Sequence, residues 1–146
     1  MDVFRHTVEL RQEGEHLHGI VLQEGRAAKG GRAEVFAPGS LEWPSGGMAI
    51  LDGHRGAELA RAMPERRADG AITVTAPATG AIRAAIEGGK RFMSVEFRAL
   101  SETVTAGGVR EITRALADAA ALVSRPEYFE TGAEVRDAGP RFRRWL

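Results

Sequence analysis

Residues 91–97 read Arg91-Phe92-Met93-Ser94-Val95-Glu96-Phe97. Phe92, Met93, Val95 and Phe97 form an apolar run rich in aromatic and β-branched residues, which predicts a strand with one small hydroxyl among bulky neighbours. Forty residues earlier, Ile50-Leu51-Asp52-Gly53-His54-Arg55 places a histidine just past a second apolar run. A serine within one strand and a histidine delivered by another are the minimum set for acyl transfer. An imidazole within hydrogen-bond reach takes the hydroxyl proton and later returns it to the leaving amine.

Working outward, the pattern is one of short strands and glycine turns. Residues 3–11 and 17–22 alternate, with a turn at Glu13-Gly14, and predict an opening hairpin. Residues 24–31 are rich in glycine and charge and predict a mobile loop. A short extended piece (33–36), a turn at Ala37-Pro38-Gly39-Ser40 and a buried strand (48–51) lead to His54. Residues 57–63 predict a short helix stopped by Pro64, and Asp69-Gly70 a turn into a strand over 71–76. Thr79 or Gly80 can cap a helix over 81–87, which Gly88-Gly89 ends. After the Ser94 strand (92–100) come a strand around Val104, a Gly107-Gly108 turn and a strand over 109–115. Residues 116–123 are apolar and alanine-rich, so helix and strand compete there, and propensity alone leans to helix. Residues 137–146 form a basic, aromatic tail carrying Arg141, Arg143 and Arg144, read as a flexible end with docking or self-cleavage as alternatives. The sum is an α+β, β-rich chain with two or three short helices, expected as a small closed or nearly closed β-barrel with the helices outside.

The length of 146 residues fits one domain, assigned to residues 1–136, and is enough for a core without disulfides. Twenty basic and twenty acidic side chains leave no formal net charge, which argues against general nucleic-acid binding and permits self-association. The absence of cysteine excludes disulfides, thiolate catalysis and zinc–thiolate sites, and fits a reducing compartment. No apolar run approaches membrane-spanning length, and the first residues lack a signal core, so the expectation is a protein made and used inside a cell. His16 and His18 share a strand face but lack a third metal ligand nearby, so a solvated face is the preferred reading.

Several segments together resemble the caudovirus prohead proteases, the capsid-maturation serine peptidases of tailed phages and gene transfer agents. They are Gly31-Arg32-Ala33-Glu34-Val35-Phe36-Ala37-Pro38-Gly39, Ile50-Leu51-Asp52-Gly53-His54, Met93-Ser94-Val95-Glu96-Phe97, and Val109-Arg110-Glu111-Ile112 through Leu122-Val123-Ser124-Arg125-Pro126-Glu127-Tyr128. The similarity runs from about residue 15 to residue 136, and its order and spacing carry it rather than any one motif. The resemblance implies a β-barrel like that of the herpesvirus assembly proteases and favours strand over residues 116–123. It implies Ser94 as nucleophile and His54 as general base. It also implies a capsid protein or scaffold segment as substrate, with possible self-cleavage, in the bacterial cytoplasm inside the immature capsid. A homodimer follows by analogy with the herpesvirus enzymes, and no metal, organic cofactor, membrane or nucleic acid is called for.

The third catalytic member is where the chain departs. Relatives carry a glutamate where this sequence reads Ala119-Ala120-Ala121, and the nearest acid is Asp118, which faces the site only if a bulge turns it inward. Glu34 and Glu96 are the other candidates, alongside a serine–histidine pair alone. Glu96 shares the strand face of Ser94 and can orient His54 or pair with Arg98 or Arg91, and pairing is the preferred reading. For His54 the plain alternative is a loop histidine capped by Asp52, and for Ser94 a small residue filling a tight spot. Arg125 can offer a backbone N–H to an oxyanion, or can be an ordinary exposed arginine before Pro126. The rival functional reading is a weak or inactive protease-like module that binds scaffold or capsid, supported by the alanine triplet.

Overall fold

The computed structural model describes residues 15–25, 34–125 and 132–137. The expected first strand, most of the loop after Gly25, and the tail beyond Asp137 lie outside them. The described chain runs β1 (Glu15–Gln23), β2 (Glu34–Phe36), β3 (Leu41–Glu42), β4 (Met48–Asp52), β5 (Glu58–Ala62), β6 (Glu65–Arg66), β7 (Ala71–Pro77), α1 (Gly80–Glu87), β8 (Phe92–Val104), β9 (Arg110–Val123) and β10 (Gly132–Asp137).

Two open sheets hold these strands. One is ordered β10-β1-β7-β6, and the other is built around β9. β8 runs antiparallel along one edge of β9, while β2, β3 and β4 line its other edge in succession, all parallel to it, with β5 outside β4. The expected barrel is therefore corrected. β1 lies against β8 and β5 against β7, but no hydrogen-bonded ladder joins the sheets among the described residues. Side-chain packing, rather than a continuous ladder, brings them together.

The local corrections have the same origin. The stretch 57–63 holds strand β5 rather than a helix, because Glu58–Ala62 finds a ladder partner in β4 and tertiary pairing overrides a weak propensity. The piece around Val104 is no separate strand but the far end of the 13-residue β8. Residues 116–123 are strand, within the 14-residue β9. Among the described residues α1 is the single helix. Thr79 caps it, its hydroxyl accepting from the Ile82 N–H at 3.3 Å, a contact worth about 1 kcal/mol.

Alternation gives the β9-centred sheet two unlike faces. Met93 and Val95 of β8, Ala120 and Leu122 of β9, and Met48 and Ile50 of β4 enter the core, where they meet Leu17 and Val21 of β1 and Ile82 of α1. The opposite face carries Ser94 and Glu96, then Ala119 and Ala121, then Ala49. These three alanines are buried but stand outside the core cluster.

One buried charge fastens the sheets. Glu24, expected in a mobile loop, is 3% exposed. Its carboxylate accepts from Gly39 N (2.8 Å) and Leu41 N (2.9 Å) of the β3 region. It also accepts from Arg66 Nε (2.9 Å) and Nη2 (3.0 Å) on β6, in the other sheet. Arg66 Nη2 also donates to Leu41 O at 2.6 Å, and the guanidinium lies 5.2 Å from the Trp43 ring centroid. A carboxylate removed from water needs this full set of donors.

Candidate active site

β4 ends at Asp52, and the chain turns through Gly53-His54-Arg55-Gly56 before β5. The turn is held by Gly53 N to Leu122 O (3.1 Å), Gly56 N to Gly53 O (2.9 Å) and Asp52 N to Ala57 O (2.9 Å). Glycine is required at 56, where a Cβ would stand 2.0 Å from the Asp52 carbonyl oxygen. Arg55 adopts φ 59, a left-handed conformation costing a non-glycine residue on the order of 1 kcal/mol. Asp52 itself is engaged by Lys90 Nζ at 2.5 Å, which ties the turn to the segment leading into β8 and leaves Asp52 no role as the histidine's cap.

The strained turn brings a backbone and a side chain to one acceptor. Glu96 Oε2 lies 2.9 Å from His54 Nδ1 and accepts from Arg55 N at 3.1 Å. Glu96 stands on β8 and the turn belongs to β4, so its side chain crosses above β9, a lateral distance of roughly 10 Å between the two outer strands. On that face, beside the rungs of Glu96 and Ser94, β9 presents the methyl groups of Ala119 and Ala121. The alanine triplet, read from sequence as the loss of an acid, is the low floor that lets another acid reach across.

A carboxylate only accepts, so the proton of this hydrogen bond sits on Nδ1, and a neutral imidazole then carries its lone pair on Nε2. That is the tautomer a general base requires. The His54 side chain is 54% exposed and that of Glu96 26%, so the pair is open to an approaching substrate. Ser94 shares the face, two residues before Glu96 and roughly 7 Å along the strand. It is 3% exposed, and its hydroxyl has no hydrogen-bond partner among the described residues.

Asp118 does lie at a bulge. Glu96 pairs with Ala119 and Phe97 with Ala117, leaving Asp118 as the extra residue, but it is exposed and the His54 ring is bonded to Glu96. The preferred pairing of Glu96 with Arg98 or Arg91 is thus replaced by its bond to His54. Glu34 is remote. Its rung on β9 is Arg110, nine residues from that of Glu96, or roughly 25–30 Å along the strand, and its carboxylate pairs with the Arg110 guanidinium. Arg125 follows the end of β9 and is exposed. The signal for Glu96 was present in its two-residue spacing from Ser94, while its reach to His54 depends on the fold of the turn.

No protein-family model, curated protein or solved structure matches the chain. Among the described residues no helix is long and apolar enough to cross a membrane.

Proposed function

We propose that the chain is a serine endopeptidase in which Ser94 attacks the scissile carbonyl, His54 shuttles the proton and Glu96 orients the imidazole and stabilises its charged form. The observation that carries this reading is the Glu96–His54 Nδ1 hydrogen bond on the strand face that also bears Ser94. Substrate binding would have to bring the hydroxyl and Nε2 into contact, as catalytic hydrogen bonds commonly form only in the substrate complex. The resemblance to prohead proteases supplies the substrate class, a scaffold segment or capsid protein processed inside an immature capsid in a bacterial cell, with self-cleavage and homodimerisation as the further features that the resemblance allows. Neither metal nor organic cofactor enters the mechanism. Co-expression with the cognate scaffold tests it. Wild type should yield cleaved scaffold and Ser94→Ala should yield none with its fold retained, whereas cleavage by Ser94→Ala refutes the assignment.

A specific observation favours a second reading. Ser94 is 3% exposed and no hydrogen bond joins its hydroxyl to His54 among the described residues, as in a protease-like module that binds scaffold without cutting it. Such a module would leave scaffold intact while still co-purifying with it.

A further inference from the structure

Five of the described arginines are neutralised. Arg61, Arg66, Arg83, Arg110 and Arg114 each hold a carboxylate. Lys90 holds Asp52. Arg55, Arg91, Arg98 and Arg125 are exposed and hold none among the described residues. All four belong to the neighbourhood of Ser94. Arg55 follows His54 in the turn, and Arg91 precedes the first residue of β8. Arg98 stands four residues after Ser94 on the same strand face, and Arg125 follows Val123, which pairs with Phe92. Arg67, which also holds no carboxylate among the described residues, follows β6 in the other sheet.

The acids nearby are largely consumed. Asp52 is held by Lys90, Glu58 by Arg61, and Glu96 by His54 and Arg55 N. Among the described residues, the exposed carboxylates on the same segments that hold no cation are Asp118 at the bulge and Glu87 at the end of α1, two against four arginines. In a chain with no net charge, cations without a carboxylate on both sides of Ser94 along β8, from Arg91 to Arg98, are a local asymmetry rather than a general property. Charge of one sign around a site attracts ligands of the other and discriminates against like-charged ones.

We infer that the peptide this site takes is acidic, carrying Asp or Glu on either side of the bond presented to Ser94. The inference deepens the peptidase reading and rests on it, but its test does not require turnover. Two decapeptides with the same neutral fluorescent tag, one with Glu at alternate positions and one with Gln in their place, are titrated into full-chain Ser94→Ala. The Glu peptide should bind about tenfold tighter at low salt. That ratio should fall towards one at high salt, where screening shortens the reach of exposed charges to about 3 Å at 1 M. It should fall likewise in Ser94→Ala also bearing Arg55→Gln, Arg91→Gln, Arg98→Gln and Arg125→Gln. Equal affinity for the two peptides, or no binding of either, overturns the inference. Fluorophosphonate labelling of wild type separates the failures. Labelling without an acidic preference overturns this inference alone, and an acidic preference without labelling overturns the peptidase reading.

Discussion

Replacing Glu96 separates its two contributions to His54. Its Oε2 takes both His54 Nδ1 at 2.9 Å and Arg55 N at 3.1 Å. Arg55 N can only donate, so in Glu96→Gln the amide oxygen is selected for that position and still accepts from Nδ1. The tautomer survives and only the negative charge is lost. Two unit charges about 4 Å apart interact by about 1 kcal/mol in water and 4 kcal/mol at an effective dielectric of 20. With the His54 side chain 54% exposed, a value near 2 kcal/mol fits, or about a 30-fold loss of rate. Glu96→Ala also removes the acceptor, freeing the ring and its tautomer, and the loss should reach about 10³-fold. Asp118→Asn should stay within about threefold, since surface charges at a distance are weakly felt. The assay is the second-order rate of fluorophosphonate labelling, followed by intact mass, with urea unfolding to confirm an unchanged fold. A Glu96→Ala variant labelled within threefold of wild type, or a larger loss in Asp118→Asn, would refute the argument.

Three further outcomes follow from the packing. Arg66→Ala removes two charge-assisted hydrogen bonds from the enclosed Glu24 carboxylate, and because Arg66 is 35% exposed, water recovers part of the loss. Unfolding in urea should show a destabilisation of about 2–3 kcal/mol, much reduced when Glu24→Gln is added. Ala121→Leu raises the floor beneath the turn. It should cost about 1–3 kcal/mol in urea unfolding and lower the labelling rate more than Glu96→Gln does, because it displaces the turn itself. Arg55→Gly keeps the N–H that Glu96 accepts and relieves the positive φ, so labelling should stay within about threefold and stability within about 1 kcal/mol, read from the same two assays.

What the sequence showed, and what it concealed, divides along a physical line. The Ser94 strand, the strand delivering His54 and the Thr79-capped helix rest on local pattern, and each is present. Residues 57–63 misled because helix propensity is a weak prior and a waiting partner in β4 decided the matter. Barrel closure was not legible, since it depends on whether two seams acquire ladders, and strand pattern says nothing of edges. The Ala119-Ala120-Ala121 run was visible, but its meaning depends on what passes over it. The same holds for Glu96, whose face was readable from its spacing to Ser94 while its partner was set by the left-handed residue at 55.

Peptide mapping of fluorophosphonate-treated wild-type protein, beside His54→Ala, tests the core of the account most directly. One adduct is expected, on the hydroxyl of Ser94, formed at least about 10²-fold more slowly without the imidazole. An adduct on a different serine, or equal labelling of Ser94 in the two proteins, would contradict it.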